Sequence, residues 1–199
     1  MAIKDASSGG LVCCFWLLPI FDSTTIAQSY LAQYYELSGL ESYPHAVLEV
    51  GRFCIDSAAY DGDILRLAWA ALSRQADHYK IQLLFGCASF SGLEPAPYQE
   101  VFAPLNVRYL VPRQWRPQVK APHVFRFESR DKHRCDAGST TRRLPSLLKN
   151  YLMLWGWVSD HAVVDHAMGT LHVFTGVELD SIPGPQAAPA RHRPVITPY

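Results

Sequence analysis

Residues 11–18, Leu-Val-Cys-Cys-Phe-Trp-Leu-Leu, form an unbroken apolar run directly after a Gly-Gly turn. A run so rich in β-formers reads as a buried strand. A strand buried on both faces needs neighbours on both sides, and only ten residues precede this one. Its sheet partners are therefore expected downstream, which commits the chain to a sheet built from distant segments. The apolar stretch ends at Phe21 and contains Pro19. It is too short for a membrane-spanning helix, which needs roughly 20 apolar residues.

The downstream partners are legible. Residues 46–55 (AVLEVGRFCI) form a second apolar strand, interrupted by Glu49, Gly51 and Arg52. Residues 56–63 have turn chemistry. Apolar residues recur at a helical period over 64–79, and residues 81–85 form a strand that runs into the small-residue stretch 86–90. A short helix is expected over 97–105, a strand over 108–111, and a charged loop over 128–143. A second helix is expected over 144–154, with Pro145 in its first turn. Strands at 157–158 and 171–179 are expected to flank a polar loop at 160–169. The order strand, helix, strand, helix, strand pair predicts an α/β fold, a mixed sheet flanked by helices. One domain is expected over 1–183, with a Pro-rich, disordered tail over 184–199.

The composition narrows the function. Eighteen basic and eighteen acidic residues cancel, without the basic excess that nucleic-acid binding requires. The five cysteines have neither metal-ligand spacing nor an even disulfide framework, which suits reduced thiols in a cytoplasm. The polar N-terminus lacks signal-peptide features. Contact with the inner face of a membrane stays open.

The chemistry concentrates first in the strand around Glu49. Alternation places Glu49 and Arg52 on opposite faces, so each needs its own partner. Buried charges are costly unless paired or hydrogen-bonded. Either they belong to structural ion pairs, or they edge a cleft with Gly51 admitting a ligand to the backbone. The segment Asp160-His-Ala-Val-Val-Asp-His166 is the second constellation. Its two Asp-His pairs, five residues apart, invite a metal reading, but nothing else in the sequence completes a ligand set. Asp160 and Asp165 can hold cationic ammonium groups, and His161 can shuttle a proton. A solvated turn explains the same residues. Ser89 fits either a pocket wall or a small packing position.

The segment Glu49-Val-Gly-Arg-Phe-Cys-Ile55, followed by Asp63-Ile-Leu-Arg-Leu-Ala-Trp-Ala-Ala-Leu72, resembles the ornithine N-acyltransferases that make lyso-ornithine lipid. The likeness continues through Leu84-Phe-Gly-Cys-Ala-Ser-Phe90, Tyr109-Leu-Val-Pro-Arg-Gln-Trp115 and Lys120-Ala-Pro-His-Val-Phe-Arg-Phe127. It resumes at residues 144–152 and 156–165, and closes with Gly169-Thr-Leu-His-Val-Phe-Thr-Gly176. The resemblance implies a GNAT-like fold that lacks its first elements here. It also implies transfer of a 3-hydroxy fatty acyl group from acyl carrier protein to the α-amine of L-ornithine. The acyl-phosphopantetheine of the carrier would be the co-substrate, with no bound cofactor and no metal. A related branch uses glutamine instead. A shortened, non-catalytic acyl-carrier or lipid-binding homologue is the competing class, and a coenzyme A-dependent acetyltransferase is a third.

Residues 56–63 contain one glycine and three aspartates. Those carboxylates would repel the pyrophosphate that a glycine-rich helix start usually cradles, in agreement with a carrier-protein donor. The acidic carrier would dock on Arg113, Arg116 and Lys120, or on Arg142 and Arg143, although solvated faces look the same. In the expected mechanism Glu49 is the base, directly or through water, with a pKa raised by its apolar strand. Arg52 orients the substrate carboxylate. Backbone amides over 49–55 hold the pantetheine arm and polarise the thioester.

Overall fold

The computed structural model describes residues 1–56, 62–127 and 143–181. The expected turn at 56–63, the loop at 128–143 and the tail fall largely or wholly outside them. Seven strands form one sheet: β1 (Ala2–Lys4), β2 (Leu11–Ile20), β4 (Val47–Ile55), β5 (Leu83–Ser91), β7 (Val124–Arg126), β8 (Trp157–Asp165) and β9 (Thr170–Glu178). Their spatial order is β1-β2-β4-β5-β9-β8-β7. Two short strands, β3 (Tyr35–Glu36) and β6 (Gln118–Val119), pair separately. The helices are α1 (Gly62–Tyr79), α2 (Gln99–Arg108) and α3 (Ser146–Met153). The mixed α/β sheet expected from the sequence is present.

Among the described strands only β4 and β5 run parallel, with α1 between them in sequence. Every other neighbouring pair in the large sheet is antiparallel. Alternation along β5 sorts the two faces. Leu84, Ala88 and Phe90 point to the side that carries α1, α2 and α3, while Leu83 and Phe85 point to the other. All three helices thus lie on one face. The opposite face is covered by residues 21–43 and 111–124, whose 3-10 turns bury Ile26, Leu31 and Leu40 and whose short strand β3 buries Tyr35. The helices were expected to flank the sheet, and this covering of short turns was not read from the sequence. Its apolar residues carry no sustained period, because each turn buries only one or two side chains.

Two further expectations are corrected. Residues 108–111 form no strand: α2 continues through Arg108, and Leu110 makes an isolated bridge to Val158. The supposed polar loop at 160–169 is mostly strand. Hydrogen bonding to β9 and β7 carries β8 through to Asp165, and only the tight turn 166–169 is left. The β-branched pair Val163-Val164 favours this extended form. Irregularity is confined to a shift between Val158 and Ala162, where Asp160 and His161 sit.

Candidate active site

The parallel pair β4–β5 holds its register from Val47/Leu83 to Val50/Gly86 and no further. Both strands then continue, β4 to Ile55 and β5 to Ser91, and so they part in a V. On its other edge β4 changes register: Cys14 pairs with Cys54, but Trp16 pairs with Gly51. The extra residue makes a bulge, and within it Arg52 takes a left-handed φ of 49°. Gly86 marks the last paired position. A Cβ there would lie 2.6 Å from the Val50 carbonyl oxygen, so a side chain would push the strands apart too early.

A cavity of about 820 Å³ fills the opening. One wall is residues 50 and 52–55 of β4, and the facing wall is residues 87–89 of β5. Leu65 of α1 and residues 145–147 at the start of α3 close it on the helix face. Tyr30, Tyr34, Asp165 and His172 close it on the other face. The lining is mainly apolar, with opposite charges at Arg52 and Asp165.

The structure brings three of the expected site residues into this wall: Arg52, Ser89 and Asp165. Arg52 is exposed, and its guanidinium carbon lies 5.8 Å from the centre of the Tyr30 ring, a cation–π arrangement. Asp165 is 8% exposed and accepts the Met168 N–H at 3.0 Å. No described lysine or arginine forms an ion pair with it.

Glu49, Asp160 and His161 are elsewhere. Glu49 is 1% exposed and lies behind the wall. Its two carboxylate oxygens accept the N–H groups of Tyr30 at 2.9 Å and Leu31 at 2.8 Å. Burial pushes its pKa up, against the downward pull of those two bonds. His161 is fully buried and shares a 2.7 Å hydrogen bond through Nδ1 with Asp160, while its Nε2 has no hydrogen-bond partner among the described residues. That bond comes first in holding the Asp160 carboxyl below its usual range, with Arg116 and Arg126 assisting. The pair sits at the β7 edge of the site's face, outside the cavity wall.

The expected ligand approach at Gly51 is also replaced. The indole of Trp16 occupies the place where its Cβ would stand. Several side chains of the basic clusters are engaged with main-chain carbonyls. Lys120 donates from Nζ to the Ala32 carbonyl at 2.6 Å, and Arg116 leans toward the Val111 carbonyl at 3.5 Å. Both serve the covering turns, and Arg113 stays exposed beside them. Arg143 donates to the Pro97 carbonyl at 2.7 Å, next to the α3 segment that lines the cavity. Arg142 lies outside the described residues.

Sequence reasoning missed Tyr30, Tyr34 and His172. The tyrosines belong to the unread covering segment, and their i, i+4 spacing with the following Tyr35 was the available signal. His172 looked like one polar residue in a buried strand. The Tyr35 hydroxyl donates to the His172 carbonyl at 2.9 Å and lies 3.2 Å from His172 Nδ1. Burial lowers the His172 pKa to about 4, despite the nearby Asp165 carboxylate. The Tyr34 hydroxyl is pushed up to about 12, first through its hydrogen bond with Tyr30. Cys87 is also pushed to about 12, by burial, so no ready thiolate stands there.

Comparison with known proteins places this geometry. An acetyltransferase (GNAT) domain model matches residues 1–70. The chain is 29% identical to the L-ornithine N(alpha)-acyltransferase of Rhodobacter capsulatus over 94% of its own length and 69% of that protein's. It is 30% identical to the Brucella abortus protein of the same name, covering 77% of this chain and 55% of that one. For the Agrobacterium fabrum protein, also of that name, the figures are 28%, 78% and 54%. The chain thus spans between half and about two thirds of the length of these relatives. No solved structure matches it significantly. The GNAT match spans β1 through the first half of α1, the α/β sheet with its parting parallel pair agrees with it, and over most of its length the chain is similar to acyltransferases.

Proposed function

We propose that this homologue of the L-ornithine N(alpha)-acyltransferases transfers a fatty acyl group from a carrier-bound thioester to the α-amine of L-ornithine, giving lyso-ornithine lipid. The observation that carries the reading is the parting of β4 and β5 around one cavity that holds both Arg52 and Asp165. Where parallel strands separate, their main-chain N–H and C=O groups face each other across the gap. An extended pantetheine arm has amides that match them, in the manner of an added strand. The mainly apolar lining suits the acyl chain.

The acceptor is a zwitterion with an additional cationic side chain. Arg52 can take its carboxylate in a forked, charge-assisted contact. Asp165 can take the side-chain ammonium in a nearly buried setting, where such a pair is weakly screened. That preference favours ornithine over the neutral side chain of glutamine. Ser89, on the β5 wall, adds a hydroxyl to the polar end of the cavity. Glu49 contributes by fixing Tyr30, whose ring supports Arg52, and the expected base is better sought in the wall. Positioning supplies much of the rate. The acidic carrier docks by Arg143 at the α3 side of the mouth, with Arg113 on the covering turns as a second contact.

The α-ammonium first gives one proton to solvent; the free amine then attacks the thioester carbon, a C–N bond forms, the C–S bond breaks, and the second proton lost by the nitrogen ends on the carrier thiol. The test is purified chain with a 3-hydroxyacyl carrier protein and radiolabelled ornithine or glutamine. A labelled acyl-ornithine product is expected, with little acyl-glutamine. Carrier acylation left unchanged with every amino acid would overturn the reading, and a glutamine preference would overturn the acceptor assignment. The described residues contain no helix long and apolar enough to cross a membrane. Contact with a membrane surface would be read by vesicle sedimentation of the same protein.

A further inference from the structure

His172 is buried on β9 yet belongs to the cavity wall. Its hydrogen bonding fixes the state of its ring. Tyr35 has one hydroxyl proton, and the 2.9 Å bond to the His172 carbonyl uses it. The hydroxyl oxygen can then only accept from Nδ1, 3.2 Å away. Nδ1 therefore carries the imidazole proton, and Nε2 keeps its lone pair. Nε2 has no hydrogen-bond partner among the described residues.

We propose that His172 Nε2 accepts the proton of the attacking α-amine, and that Tyr35 is the positioning residue that sets its tautomer and ring orientation. The proposal rests on the acyl-transfer reading above. As the C–N bond forms, the amine nitrogen becomes cationic and gives its proton to Nε2. The imidazolium then returns that proton to the departing thiolate as the C–S bond breaks. No oxidant or further reactant is required.

The surroundings suit this cycle. Asp165 precedes the turn into β9 and pairs with Thr170, two residues from His172. Residues spaced this way share a face and are diagonal neighbours. Its carboxylate favours the transient imidazolium, and His161, on the same strand, opposes it. From the covering turns, Tyr34 meets the ring edge-on at 5.0 Å. Cross-strand on β5, Ser89 pairs with His172, and Cys87 lies nearby with its thiol held protonated. Tyr34 and Cys87 are poor bases near neutrality because both titrate near 12. Burial keeps His172 neutral, with its lone pair available, across the neutral range.

Nuclear magnetic resonance of the full chain with nitrogen-15-labelled histidine reads the tautomer without any turnover. His172→Gln assigns the signal among the eight histidines. The Nδ1–H tautomer is expected, lost to a mixture in Tyr35→Phe, and a dominant Nε2–H form would overturn the proposal. Kinetics with an acyl thioester and a panel of amines form the second arm. His172→Gln should lower kcat by about a hundredfold or more, with the KM for the amine within about threefold. Tyr35→Phe should lower kcat less and move the acid limb of its pH profile to lower pH, because the imidazolium loses an acceptor for its Nδ1 proton. Turnover of His172→Gln within about fivefold of the parent would overturn the assignment. If the parent acylates other amines but not ornithine, the ornithine reading falls and the His172 arm still decides. If it acylates none, both fall.

Discussion

Glu49 of β4 grips the main chain of Leu31 across the sheet face, its Oε1 accepting the Leu31 N–H at 2.8 Å while Oε2 takes that of Tyr30 at 2.9 Å. One buried carboxylate thereby ties the covering turns to the strand that edges the cavity. Replacing it by glutamine leaves one acceptor and turns an NH2 group toward a backbone N–H. Glu49→Gln is expected to lose about 1–3 kcal/mol of stability, read as a lower urea midpoint. Activity should fall through looser amine binding rather than through loss of a base. A variant of unchanged stability with turnover abolished would show instead that the carboxylate acts on the proton.

Arg52 stands in the wall, where a substrate carboxylate would meet it. Arg52→Ala should raise the KM for ornithine by about tenfold or more, the worth of a charge-assisted hydrogen bond. A diamine lacking the carboxylate should react equally with parent and variant. An equal loss for both acceptors would remove Arg52 from carboxylate recognition.

Gly51 and Trp16 pair across β2 and β4, and the indole fills the space of the missing side chain. Gly51→Ala should cost about 1–3 kcal/mol, the range for overpacking a tight site. Combined with Trp16→Leu, the loss should be smaller than the sum of the single losses. Additive costs would mean that the glycine is needed for its backbone alone.

His172 has its folded pKa lowered to about 4, below the ordinary value near 6.5. The unfolded chain therefore binds a proton that the native chain refuses. Stability from this group is complete above about pH 6.5 and is lost as the pH falls toward 4. The full effect is about 3 kcal/mol. Denaturant midpoints between pH 7 and 4 should drop steeply for the parent and less for His172→Gln. Parallel slopes would indicate that the ring is protonated in the native state.

The sequence by itself determined the strands and helices that have a clean period. The apolar run at 11–18, the strand at 46–55 and the helical repeat at 64–79 are built where local preference and burial agree. It also placed Arg52, Ser89 and Asp165 among the candidate site residues, because a charged or small residue inside or beside an apolar segment needs an explanation. Only the tertiary structure decided what each polar residue does. Residues 160 and 165 looked alike on one supposed loop, yet β8 puts Asp165 in the cavity wall and leaves Asp160 outside it, beside His161. Glu49 looked like a base until the amides of a segment about twenty residues earlier closed on it. Those amides, like the Tyr35 hydroxyl at His172, come from turns without a period. Such long-range hydrogen bonds depend on where the chain returns in space, and local sequence does not carry that information.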